Sequence, residues 1–253
     1  MIGVIARNTV REVLRDRVWF VLLGFGFVLL AASRILTPLA LGEGPRITVD
    51  LGLTAVGGLG LLVVAVVGAS LVHQEIERRT VHVVLARPLS RATYLIGKWA
   101  GLTMAVWITG AITGTALIGV TLLVRGSTAA LSVAEAVVLI ELSFLPLTAL
   151  AVLFSSLSTP LLSSLYTLCV YALGFWTADM RGFARQLEPP LGQVLAAASY
   201  ALPHLDLFSA RLAVAHAEPV PGLQIMLAAA YALTYAAAVL AVAAVAFESR
   251  EFK

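Results

Sequence analysis

Apolar residues fall in six long blocks, at about 18 to 37, 51 to 72, 99 to 124, 131 to 154, 161 to 178 and 223 to 247, with the charged residues gathered between them. Each block comes close to the ~20 residues that an α-helix needs to cross ~30 Å of hydrocarbon. The blocks are unbroken runs of Leu, Val and Ala, whereas a transmembrane barrel would alternate in ~10-residue segments. A helix also satisfies its own backbone groups where lipid offers no partner. The pattern therefore predicts an all-α membrane protein with six transmembrane helices, in a single transmembrane domain covering 1–253.

The connecting stretches carry patterns of their own. Over residues 1–17, Ile2, Ile5, Ala6, Val10, Val13 and Leu14 share one helical face, and Arg7, Asn8, Arg11, Glu12, Arg15 and Asp16 the other. That is either an amphipathic helix lying in the membrane interface or a basic flank that happens to be helical. Trp19 and Phe20 fit an interfacial aromatic belt. The run from Val18 is longer than a signal-peptide core and precedes no persuasive cleavage site, so it reads as a retained first span. Before the last span, the segment 179–222 is broken by Pro189, Pro190, Pro203, Pro219, Pro221 and Gly222. It predicts short external helices or a re-entrant excursion.

Composition adds the class: 60% of residues are hydrophobic and 12% charged, against about 25% charged in soluble domains. The formal charge of +3 sits in the flanks of spans, where it sets topology and attraction to membrane lipid, so no nucleic-acid partner is expected. Eleven of the 17 Lys and Arg residues lie at the N-terminus, in the second-to-third connection or in the C-terminal tail. That bias places both termini in the cytoplasm, in a multi-pass protein of the cell inner membrane. The single cysteine, Cys169, excludes an intrachain disulfide and a thiolate metal cluster built from this chain alone.

Few residues inside the spans are polar enough to carry chemistry. Glu141 lies deepest, with Glu135 nearer the external end of the same helix, and intramembrane carboxylates are costly. Six positions apart, they stand about 120° round the helix and do not form a pair. Glu141 either lines a path or couples a helix movement, or it is a hydrogen-bonded packing residue. Pro146 removes a backbone bond just beyond it and predicts a kink. The glycines of the second span and the Gly110-x-x-x-Gly114 motif of the third allow close helix approach, within one subunit or across a dimer seam. His204 and Asp206, in Pro-His-Leu-Asp, are the one candidate for an outer-face site. There is no HExxH, no GxSxG and no GxxxxGK[ST] loop, so ATP is not bound here through a P-loop.

The charged island His73 to Lys98 carries five of the basic residues, with an apolar middle from Val81 to Ala86. An apolar patch in a cytosolic loop suggests a docking surface. Its sequence, Glu77-Arg-Arg-Thr80 through Pro88-Leu-Ser-Arg91 and on to Gly97-Lys98, resembles the signature of type-2 ABC exporter permeases, with Arg79 in place of the usual Gly. The similarity extends to the N-terminal helix, the six spans and Pro203, Asp206 and Leu207 before the last one. The subgroup it resembles is the multicopper-enzyme-maturation permeases, typified by the nitrous-oxide reductase maturation transporter.

The resemblance implies a non-catalytic permease subunit that works with a cytosolic ABC ATPase, as a homodimer or pseudo-dimer, and exports a cargo or transmits force. The island, 73–98, would be the coupling helix, with Glu77, Arg78, Thr80, Leu85, Arg87 and Arg91 as its ATPase contacts. No cofactor is expected on this chain; ATP and magnesium are implied in the partner ATPase. Two other classes stay open on the residues alone: a membrane-embedded enzyme built on His204 and Asp206, and a structural membrane scaffold.

Overall fold

The computed structural model describes residues 1–36, 44–73, 90–210, 214 and 218–248, the side chains of 33–36, 44–46 and 248 excepted. Among the described residues the chain is all-helical. In order run α1 (Ile2–Arg15), α2 (Arg17–Leu36), α3 (Gly44–Leu62), α4 (Arg91–Arg125), α5 (Ser127–Leu157), α6 (Pro160–Gly174), α7 (Thr177–Ala184), α8 (Leu191–Ala201) and α9 (Gly222–Glu248). A π-helical stretch, Val63–Gly68, extends α3, and a 3-10 turn, Leu205–Phe208, follows α8.

Four of these helices are long and apolar enough to cross a membrane: α3 with its π-helical extension, α4, α5 and α9. A fifth crossing results if α6 and α7 count as one bent span. The apolar block expected to run straight from 161 to 178 instead ends at Gly174 and turns by 68° into α7. Hydropathy does not register that change of direction. It coincides with Gly174, where a Cβ would come within 2.8 Å of Leu205 and 2.9 Å of the Pro203 carbonyl oxygen, so the 3-10 turn packs into the bend.

Antiparallel α4 and α5 form the centre of the bundle. One residue joins them: Gly126, at φ 85°, a left-handed value that glycine adopts without a Cβ clash. At 35 residues, α4 is about 52 Å long and overhangs a ~30 Å hydrocarbon core. Its first turns begin at Ser90, whose hydroxyl accepts the Thr93 N–H at 3.2 Å, a side-chain N-cap. α5 continues as one helix through Pro146.

The glycines expected to allow close approach mostly do so inside the subunit. Gly60 faces the Phe144 ring, Gly52 receives Leu117, and Gly114 lies 2.7 Å from Val137 measured at a would-be Cβ. Gly57 and Gly58 differ, facing open space or ordinary contacts. Where lipid supplies no hydrophobic drive between helices, such knob-and-notch contacts hold the bundle.

The N-terminal helix packs part of its apolar face on a neighbouring helix. Its buried residues Ala6, Thr9 and Val13 lie against α4, where a Cβ on Gly97 would meet Ile5 at 2.8 Å and one on Gly101 would meet the Ala6 carbonyl at 2.7 Å. Lys98, 2% exposed, reaches Glu12 at 3.4 Å. Trp19 is likewise turned inward and donates its indole N–H to the Thr109 hydroxyl at 2.8 Å, while Phe20 stays exposed.

Gly101→Ala tests this packing, since the added methyl meets backbone. We expect it to destabilise the protein in detergent by about 1–3 kcal/mol, whereas Gly119→Ala, with nothing within 4 Å of its Cβ position, should be neutral or stabilising by helix propensity. Equal melting temperatures for the two variants would contradict the placement of α1.

Candidate functional site

Five of the six residues expected to contact an ATPase, Glu77, Arg78, Thr80, Leu85 and Arg87, lie outside the described residues. The flanks of that island are described, and each is tied to another helix. On the leading side, the backbone N–H groups of Val72 and His73 both donate to the Ser155 hydroxyl, at 3.0 and 3.3 Å. That fastens the end of α3 to the end of α5.

On the trailing side, Arg91 reaches across the bundle. Its Nη1 donates to the Phe247 carbonyl at 2.6 Å, and its guanidinium lies 5.8 Å from the Phe247 ring centroid. The Tyr94 ring stacks on the same phenylalanine at 6.3 Å. An arginine on a carbonyl of the last helical turn also opposes the negative end of the α9 dipole. The sixth expected contact residue thus joins α4 to α9.

Glu141 lies at the α4–α5 contact. Its carboxylate occupies the notch left by Gly110, where a Cβ would overlap it. Both oxygens are buried and have no hydrogen-bond partner among the described residues. The neighbouring backbone is well supplied: Trp107 donates to the Glu141 carbonyl at 2.9 Å, Trp99 to the Leu145 carbonyl at 3.2 Å, and Thr148 to the Phe144 carbonyl at 2.7 Å. These donors surround Pro146, which cannot itself donate. Glu135 has a different task, accepting the Val220 N–H at 2.7 Å and pinning the segment that leads into α9.

An apolar cavity of about 600 Å³ opens between α3, α5, α6 and the 3-10 turn, lined by residues that include Gly57, Gly58, Ile140, Tyr171, Phe175 and Phe208. It explains why those two glycines have no close neighbour. Ile140 borders it, one position from Glu141. Spacing along one helix could single out Glu141, Gly110 and Gly57, but nothing in the sequence says which notch faces which group.

His204 and Asp206 each bond a different element. The His204 backbone N–H and Nδ1 both meet the Tyr231 hydroxyl, at 2.9 and 3.2 Å, and Asp206 accepts from the Thr177 hydroxyl at 3.5 Å. The two residues join the 3-10 turn to α9 and to α7. Among the described residues no three His, Cys, Asp or Glu side chains cluster as a metal site. Burial, and then the positive Arg181 nearby, hold the His204 imidazole below its usual range, against opposing pulls from Asp206 and a bond to the Leu202 backbone.

Two outcomes follow. Because the folded state favours the neutral imidazole, the unfolded chain binds the proton more readily, so this contribution is complete above about pH 6.5 and declines on acidification. Melting temperature measured from pH 7 to 5 should fall less steeply in His204→Gln than in the wild-type chain; parallel curves would contradict it. Removing an unpartnered buried polar group should stabilise, so Glu141→Met should raise thermal stability by about 1 kcal/mol or more. A lowered melting temperature would reveal a stabilising bond to the carboxyl.

At one end of the bundle the chain after α3 is tied to α5 and the start of α4 to α9, and a cavity opens among apolar helices. Among curated proteins no relative matches the chain. Residues 53–252 match the model of the family described as ABC-2 family transporter protein. This stretch runs from the middle of α3 through α9 and takes in the island, so the chain belongs to the ABC-2 family of transporter membrane proteins.

Proposed function

We propose that the chain is the permease subunit of an ATP-driven exporter or force transducer, working with a separate cytosolic ABC ATPase. The observation that carries this reading is the tethering of both island flanks. A partner that moves the segment 74–89 pulls on Ser155 of α5 through Val72 and His73, and on α9 through Arg91. Four helices would then respond to one contact, which is the behaviour of a coupling element. Glu77, Arg78, Thr80, Leu85 and Arg87 would face the ATPase, whose ATP and magnesium supply the driving energy. Arg91 would pass the movement on.

Six spans fit the same proposal when α2, 20 residues long, and the bent α6–α7 pair are added to the four long helices. The start of α4 and the end of α9 meet at one end of the bundle, and α1 packs there too. The basic residues of α1 therefore lie at the same end as Arg91, the arrangement that a cytoplasmic side in the cell inner membrane would require. Two such permeases, identical or related, would enclose the cargo path, with the apolar cavity beside Glu141 favouring a hydrophobic cargo. The likeness to multicopper-enzyme-maturation permeases belongs to this proposal as well.

Co-expression with a candidate ABC ATPase tests it. The wild-type chain should co-purify and alter ATP hydrolysis, and Leu85→Ala with Arg87→Ala should abolish both effects. Ser155→Ala should leave the ATPase bound but reduce its response. Retention of binding and response in the island variant would overturn the coupling role.

A further inference from the structure

At the end of the bundle away from Arg91, α7 and α8 fold back on each other. Gly192 permits this, because a Cβ there would stand 2.6 Å from the Ala184 carbonyl oxygen and 2.9 Å from that of Leu187. Between the two helices lies an open cleft of about 260 Å³, whose lining includes Arg181, Arg185, Gln193 and Tyr200. Arg181 on α7 and Arg185 at its C-cap are one helical turn apart and so share a face.

Arg181 is held in place. Its Nε donates to the Thr177 carbonyl at 3.3 Å, and its guanidinium lies 5.9 Å from the Tyr200 ring centroid. These contacts leave its terminal nitrogens for a ligand. None of the residues lining the cleft is acidic, and neither arginine makes an ion pair with a carboxylate among the described residues.

The level of the cleft decides what anion it would meet. α7 belongs with α6 to the bent pair that together is long and apolar enough to make one span. The cleft therefore adjoins a span. Arginines there are costly unless an anion or a headgroup accompanies them. Phe183, Leu191 and Val194, each 64% exposed or more, give acyl chains an apolar surface beside it.

The geometry points to a binding site for the phosphodiester of an anionic glycerophospholipid between α7 and α8. The paired guanidiniums hold the phosphate oxygens by charge-assisted hydrogen bonds, and Gln193 and Tyr200 offer polar atoms to the headgroup. A zwitterionic lipid brings an ammonium that finds no carboxylate in the cleft. The site depends on the chain lying in a membrane and not on an ATPase partner.

The test uses the full chain purified in detergent, exchanged with equal amounts of phosphatidylglycerol and phosphatidylcholine, with retained lipid read by native mass spectrometry. Wild-type protein should keep phosphatidylglycerol in preference, and Arg181→Gln with Arg185→Gln should reduce that retention by about tenfold or more. If the double variant does not fold by circular dichroism, Arg185→Gln alone is read, with a loss in the same direction. Equal retention of the two lipids, or unchanged retention in the folded variant, would overturn the site. Displacement of the lipid by millimolar inorganic phosphate would also overturn it, by assigning the cleft to a free anion.

Discussion

Close approach of α1 to the first turns of α4 is the contact on which the proposed cytoplasmic end of the molecule depends. Two absent side chains, Gly97 and Gly101, leave room for Ile5, Ala6 and Thr9, and Lys98 between them reaches Glu12. Ala6, Thr9 and Val13 of α1 are buried against protein, while Arg7, Arg11 and Arg15 are exposed. The same turns of α4 carry Arg91 and Tyr94, which grip Phe247. Three helices are thereby organised by one stretch, 91–101, that begins within the island and ends just beyond it. In lipid, where apolar surfaces gain little by meeting each other, shape and internal hydrogen bonds must supply such organisation.

The middle of the bundle obeys a second constraint, that backbone groups in a span need partners. Pro146 withholds one helical donor from α5, and nearby the carbonyls of Glu141, Leu145 and Phe144 receive indole and hydroxyl donors from Trp107, Trp99 and Thr148. Against this background the unpartnered Glu141 carboxylate is conspicuous. It lies close to an apolar cavity and against a glycine notch, an arrangement that static packing alone does not require.

Much of the fold was legible because continuous hydrophobicity has few alternatives in a chain this apolar. The blocks at 51, 99, 131 and 223 correspond to helices that can cross a membrane. Block edges told less. α4 starts at Arg91, eight residues before its apolar block, because protein rather than lipid covers its first turns. The bend after Gly174 was hidden, since residues on both sides of it are apolar. Trp19 was read as an interfacial anchor and instead bonds Thr109; periodicity separates faces but does not say whether a face meets lipid or a neighbouring helix. The candidate residues were legible singly. Glu141 and Gly110 each stood out, but their juxtaposition requires the relative rotation of α4 and α5, which no motif encodes.

The central claim is that the island and the helix ends beside it move as one unit. Hydrogen–deuterium exchange of the permease–ATPase complex, with and without trapped nucleotide, tests it most directly. The account predicts that protection changes in the island are accompanied by changes at 71–73, at the start of α4 and in the last turn of α9. A change confined to the island, with all three flanking segments unaltered, would contradict it.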